Sequence, residues 1–197
     1  MAVYSMNGIQ ENCYPDTTVL INKLGITQQE QLSLAEQRIV TGIYTMLEAR
    51  TKFQNVDFEF FKLLHKQLFY DLYEWAGSVR TINISKKGTV FCKAEDIERI
   101  GTIKFHNLAK QNYLKGMDKT AFLNELAELY HDLNMLHPFR EGNGRTLRLF
   151  ITLLVRNAGY NMNFDKCDPD LLMIATIKAA QGDISMLRNV LENIIEK

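Results

Sequence analysis

The run His137-Pro138-Phe139-Arg140-Glu141-Gly142-Asn143-Gly144-Arg145-Thr146-Leu147-Arg148 sits between two stretches of helical apolar spacing, and it constrains the fold more than any other segment. Upstream, Phe122, Leu123, Leu126, Ala127, Leu129, Tyr130, Leu133 and Leu136 recur at intervals of three and four, the period of a helix with one buried face. Pro138 disfavours the α conformation at His137, so that helix should end near Leu136 with the imidazole at its mouth. Downstream of Gly144, the residues Leu147, Phe150, Ile151, Leu154 and Val155 form a second stripe, which stops at the C-cap signal Asn157-Ala158-Gly159. A short glycine-containing loop therefore joins two core helices and feeds directly into a helix N-terminus.

That position suits anions. The first turn of a helix carries unpaired N–H groups and the positive end of the dipole. Glycines at Gly142 and Gly144 can take positive φ and let the backbone approach a ligand. Arg145 and Arg148 lie three apart on the second helix, hence on one face, and their forked donors match phosphate oxygens. Glu141 adds a hard oxygen ligand of the kind that Mg²⁺ bound to a nucleotide requires. His137 is the nearby side chain whose ordinary pKa suits proton transfer near neutrality. Taken singly, each residue has a structural explanation: a core histidine, a capping glycine pair, a solvated arginine face. Phe139 is read as a core plug. A phosphate site explains the whole set together, with in-line attack on phosphorus as its chemistry.

The same residues match at every specified position the signature H-x-F-x-[D/E]-G-N-G-R-x-x-R, so the chain resembles the Fic (filamentation) family. The likeness runs further, through Tyr14-Pro15-Asp16-Thr17, Asn22-Lys23-Leu24-Gly25-Ile26, Tyr73-Glu74-Trp75-Ala76-Gly77 and Arg80-Thr81-Ile82-Asn83-Ile84-Ser85-Lys86. What the resemblance implies is an all-α helical bundle with one small β-hairpin flap, spanning 1–197 as a single domain. It also implies transfer of AMP from ATP to a hydroxyl side chain of a target protein, with release of pyrophosphate. In that scheme His137 is the general base and Glu141 holds Mg²⁺ (or Mn²⁺) between the α- and β-phosphates. Gly142, Asn143 and Gly144 form an anion hole, Arg145 binds the β-phosphate and Arg148 the γ-phosphate. Asn134, one turn before His137, faces the nucleotide, with Leu172 or Met173 near the adenine.

The flap, about 79–92, is legible in its own right. Val79, Thr81, Asn83 and Ser85 alternate with Arg80, Ile82 and Ile84, followed by a Lys86-Lys87-Gly88 turn and Thr89-Val90-Phe91-Cys92. A small hairpin has free edges, and an extended segment of the target protein can pair with one. Lys86 and Lys87 are read as solvated, with either able to meet a phosphate. Further helices are expected near 28–52, 57–74, 94–114, 168–180 and 183–196, and His65, His106 and His131 as structural or surface residues.

Composition narrows the partners. With 46% hydrophobic residues in 197, the chain can bury one core without a linker break. Acidic and basic residues balance at 23 each, which leaves no surplus positive charge for nucleic acid. Cys13, Cys92 and Cys167 are odd in number and lack a C-x-x-C pair, as expected of a protein kept in the reducing cytoplasm. No apolar run reaches membrane-spanning length and Met1 begins no secretory signal; export by a specialised system would leave no mark that these rules detect.

Many Fic proteins carry an inhibitory [S/T]-x-x-x-E-[G/N] helix whose glutamate pairs with the second signature arginine, here Arg148. No Ser or Thr of this chain is followed by Glu four residues later. Inhibition is therefore expected from a small antitoxin-like protein in trans, with a degenerate internal helix around Glu36 as the other option. Alternative activities are another phosphate transfer on the same scaffold (a different nucleotide, kinase-like transfer, or removal of AMP), a metal-dependent phosphohydrolase using His131-Asp132, and a non-catalytic binding module.

Overall fold

The computed structural model describes Tyr4–Ser5, in backbone alone, and residues 12–196; the expectation about Met1 lies outside them. Among the described residues the helices are α1 Gln29–Arg50, α2 Phe58–Phe69, α3 Ile97–Lys110, α4 Lys119–Leu136, α5 Asn143–Asn157, α6 Pro169–Ala180 and α7 Ser185–Asn193. The strands are pairs of residues: β1 Tyr4–Ser5, β2 Ser85–Lys86, β3 Thr89–Val90, β4 Asn161–Met162 and β5 Ile195–Glu196. Aspartates start three of the helices by accepting orphan N–H groups. Asp57 takes Phe60 N at 2.8 Å, Asp118 takes Thr120 N and Ala121 N at 3.0 Å each, and Asp168 takes Asp170 N at 2.8 Å with Pro169 in the first turn.

α5 is the axle of the bundle. Leu147, Leu149, Phe150, Ile151, Leu153, Leu154 and Val155 are all buried, so the helix is covered on nearly every side, with α1, α2 and α4 packed around it. α4 in turn packs on α3, α6 and α7. Aromatic rings fill the space between α2, α3 and α5: Phe61 meets Phe150 edge-on at 5.4 Å and Phe139 in a stack at 5.7 Å. Phe139 is fully buried, as its reading as a core plug requires.

Several boundaries differ from expectation. The helix expected over 57–74 stops at Phe69, where Leu72 N and Tyr73 N both turn back to Phe69 O (3.0 Å each) and seat two more apolar side chains in the core. Apolar spacing continues through that turn, which is why it mimics a longer helix. The 94–114 helix is a 3-10 turn at Ala94–Asp96 followed by α3, and Asn112, Tyr113 and Leu114 then adopt left-handed backbone, with φ of 50, 53 and 62°. α7 ends at Asn193 because Ile195–Glu196 pair antiparallel with Asn161–Met162.

The hairpin is present but much shorter than the alternation suggested. Its turn is Lys87-Gly88, both at positive φ (49° and 81°), the two-residue geometry that matches strand twist, so Lys86 belongs to the strand. Its edges are not both free: β1 pairs with β2, Tyr4 opposite Lys86 and Ser5 opposite Ser85, giving the order β1-β2-β3. The outer edge of β3, where Val90 is 72% exposed, is the one left open among the described residues. No helix among the described residues is long and apolar enough to cross a membrane.

Phe139→Ala removes the ring on which α2 and the loop before α5 converge. It should lower unfolding free energy by about 3–5 kcal/mol in urea denaturation; a loss under about 1 kcal/mol would contradict its role as the plug.

Candidate active site

α4 ends where expected, and its last carbonyls organise the site. A helix C-terminus leaves its final C=O groups unpaired. Here Cys92 N donates to Met135 O (2.9 Å), the Arg80 guanidinium Nε donates to His137 O (2.8 Å), and His137 Nδ1 donates to Asn134 O (3.1 Å). The other two nitrogens of Arg80 donate to Ile82 O (2.6 Å) and Cys92 O (2.5 Å), while Arg80 N bonds Pro138 O (2.9 Å). One buried arginine thus fastens both arms of the hairpin to the end of α4. Sequence reasoning placed Arg80 in the flap without assigning it this task, and its one hint was a lone arginine inside an apolar-alternating strand.

His137 itself is left-handed (φ 42°, ψ 59°) rather than extended, and buried, with its ring stacked on Phe91 at 3.8 Å. A carbonyl can only accept, so the bond to Asn134 O places the proton on Nδ1 and the lone pair on Nε2. Burial pushes the imidazole down to about 3, the Asn134 bond opposes this, and the nearby Lys86 and Arg80 charges add to it. The ring is therefore neutral at physiological pH, with its basic nitrogen fixed by geometry.

The loop is held by groups far apart in sequence. His65, fully buried, accepts from Gly77 N at Nδ1 (2.8 Å), and its Nε2–H therefore points to Glu141 O (3.0 Å). Its ring stacks on Phe139 at 3.8 Å, and burial lowers its pKa to about 3, so it too is neutral. Asn143 turns inward: Oδ1 accepts from Phe139 N (2.8 Å) and Nδ2 donates to Phe139 O (2.7 Å). Its side chain closes the loop instead of facing a ligand, so what Asn143 brings to the expected Gly142-Asn143-Gly144 anion hole is its backbone N–H. Gly142 is left-handed (φ 80°), and a Cβ there would come within 2.4 Å of the Phe69 ring. Gly144 lies in regular helix, because α5 begins at Asn143, two residues earlier than expected. The first turn of α5 still leaves N–H groups without intrahelical partners, and Gly144 there is exposed.

Three cations and two carboxylates surround that turn. Arg145 lies over the Phe69 ring at 4.7 Å and pairs with Glu141 at 3.5 Å and with Glu36 of α1. Arg148 folds back so that its Nη1 reaches Gly144, and its charge is felt by the Tyr44 and Tyr130 phenols. Lys86 is half-buried rather than solvated and feels Glu141, which places it beside the site as the other part of its reading allowed. Asn134, His137, Lys86, Lys87, Thr89, Phe91, Met173, Thr176 and Ile177 line one cleft. Met173 thus reaches the cleft, whereas Leu172 is buried in the core. The cleft holds about 90 Å³, below the ~300–1,000 Å³ of a typical small-molecule site, because Lys87 at the hairpin tip touches Met173 of α6.

No group of three or more His, Cys, Asp or Glu among the described residues could hold a metal alone. Asp132 is paired with Lys104 at 2.5 Å, and among the described residues neither it nor His131 belongs to such a group. Glu141, half-exposed and accepting from Gly142 N at 2.9 Å, offers a single carboxylate beside the first turn of α5. That fits an ion that arrives with a nucleotide and keeps phosphate and water ligands. The three cysteines are free thiols.

The Fic/DOC family pattern matches residues 55–155, from the approach to α2 through most of α5. A probable protein adenylyltransferase of Sinorhizobium fredii is 36% identical over 188 residues, covering 93% of this chain and 94% of that one. Among solved structures, the Bartonella tribocorum effector BepC with bound AMPPNP is similar (TM-score 0.88, 28% identity, 95% of this chain and 97% of that one). So is the N-terminal Fic domain of a putative cell filamentation protein from Bartonella quintana with bound ADP (TM-score 0.89, 25% identity, 95% of each chain). The bundle, the hairpin over the end of α4 and the signature loop at the start of α5 are those of a Fic protein, and this chain belongs to the Fic/DOC family.

Proposed function

We propose that this protein is an adenylyltransferase that moves AMP from ATP to a hydroxyl side chain of a target protein. The observation that carries the reading is the neutral His137 imidazole, its proton committed to Asn134 O, in the lining of a cleft and a few residues ahead of the first turn of α5. The relatives named as adenylyltransferases and the nucleotide-bound neighbours support it.

In this mechanism Nε2 of His137 takes the proton of the target hydroxyl as its oxygen attacks the α-phosphorus. The bond from that phosphorus to the bridging oxygen breaks, and pyrophosphate leaves with the bonding electrons. Backbone N–H groups of the first turn of α5 stabilise the charge that develops on the α-phosphate. Arg145 holds the β-phosphate and Arg148 the γ-phosphate. Glu141 would hold Mg²⁺ (or Mn²⁺), which when bound neutralises phosphate charge. Asn134 and Met173 border the nucleoside, after the hairpin tip withdraws from α6. Binding of the negative triphosphate also raises the affinity of His137 for a proton, so the base strengthens when the substrate is in place.

The target is proposed to dock on the 79–92 hairpin, either by pairing with the open edge of β3 or by displacing β1 from β2. Regulation by an antitoxin-like protein in trans remains the proposal for inhibition, and action in the cytoplasm is supported by the free thiols. Transfer of another nucleotide's monophosphate is the second reading, since the same phosphate-binding groups serve it.

Purified protein incubated with cell lysate and ATP labelled in the α-phosphate should transfer label to a protein band. Chelation by EDTA or the change His137→Ala should stop it, with His137→Ala retaining ATP affinity within about threefold; undiminished transfer by His137→Ala would remove the histidine from the base role. The lowered pKa means that the neutral imidazole persists to acid pH, so an NMR titration of His137 in the free protein should show no midpoint near 6.5. Adding AMPPNP should move the midpoint upward, and a free-protein midpoint at the ordinary value would contradict the buried, preset base.

A further inference from the structure

Arg145 is anchored from outside the signature by a residue about a hundred positions away. Glu36, near the middle of α1, pairs with Arg145 Nη2 through Oε1, and the Tyr73 hydroxyl donates to its other oxygen, Oε2. Inhibitory glutamates of the type sought in the sequence pair with the second signature arginine. Glu36 pairs with the first, so the expectation for an internal inhibitory helix does not describe this contact.

The surroundings separate a fixed anchor from a releasable latch. Tyr73 is 1% exposed and its ring stacks on Trp75 at 4.4 Å. Burial and the Glu36 carboxylate both push its phenol up, so it remains a hydrogen-bond donor. The side chain of Glu36 is 13% exposed and that of Arg145 26%, enough enclosure for the charge pair to escape most solvent screening. On its remaining face the guanidinium lies over Phe69, the same ring that a Cβ at Gly142 would strike. Phe69 is fully buried. Arg145 is therefore held by a carboxylate fixed at both oxygens and by a ring that also sets the height of the loop. Both of its ion pairs run through Nη2, and the guanidinium offers further N–H donors in a fixed plane.

We propose that Glu36, braced by Tyr73, is a positioning residue that presets the Arg145 guanidinium for the pyrophosphate part of the donor nucleotide. The inference rests on the adenylyltransferase reading for the identity of the ligand. Its effect is on discrimination: nucleotides with a β-phosphate gain from a preset Arg145, and AMP does not. Such preorganisation matters because misplacement of a phosphate-binding group by an ångström can cost about 100-fold in rate.

The test uses the full chain and two substitutions. Glu36→Gln keeps the shape and the acceptor for Tyr73 but removes the charge; Tyr73→Phe removes one hydroxyl. ATP and AMP affinities are measured by calorimetry, and kcat/KM for labelled transfer alongside them. Glu36→Gln should weaken ATP and lower kcat/KM for ATP by about 10- to 100-fold, with AMP affinity changed less than twofold. Tyr73→Phe should show the same selective loss at about three- to tenfold, and it decides the matter if Glu36→Gln does not fold. Tighter ATP binding or faster transfer in either variant would overturn the proposal and make Glu36 a brake. Equal weakening of ATP and AMP would overturn it in favour of a purely structural role. The ATP-to-AMP ratio needs no turnover, so a wild-type protein that transfers nothing would sink the functional reading while the ratio still decides this one.

Discussion

The face-to-face stack of Phe139 on His65 ties the site to the core. Phe139 occupies the hub between α2 and α5, while the two nitrogens of His65 join Gly77 to the carbonyl of Glu141. Both bonds use a neutral imidazole, and its burial keeps it neutral. With the centre of the loop fixed to α2 in this way, its two ends acquire defined positions. His137 is held at the close of α4, and the N–H groups of α5 are held a few residues later. Asn143 completes the closure by returning both amide bonds to Phe139. The residues with chemistry to perform therefore alternate with residues whose task is to hold them.

Electrostatics follows from that frame. His137 sits beside Lys86 and Arg80, cations that disfavour its protonated form, so the resting site holds a neutral base in a positive environment. In the proposed reaction a bound triphosphate would offset that positive field and raise the proton affinity of the imidazole when a proton must be taken. Glu36 and Glu141 balance part of the positive charge without covering the first turn of α5.

The sequence made the frame of the site legible because its determinants are local. The α4 stripe, Pro138, Gly142 and the α5 stripe specify helix, stop, loop and helix within about thirty residues, and α4 and α5 fall accordingly. Phe139 was legible as a plug for the same reason. The supports were not, since His65, Arg80, Tyr73 and Glu36 act on the loop across 57 to 109 positions of chain, and periodicity has no term for a contact between distant segments. Asn143 shows a subtler gap: it stands between two glycines of the signature, and only the backbone geometry turns its amide inward. The run past Phe69 reads as helix because core-facing turns and helices can share apolar spacing, and the partner of β2 was hidden because a two-residue strand has no pattern.

The account depends most on the seating of the triphosphate between the α5 N-terminus and the imidazole. Its most direct test is a crystal structure of the protein soaked with AMPPNP and Mg²⁺. The α-phosphorus should lie in front of His137 Nε2, with phosphate oxygens on the first-turn N–H groups of α5 and the β-phosphate on Arg145. A nucleotide bound with its phosphates pointing away from His137, or an empty first turn beside an occupied site elsewhere, would contradict it.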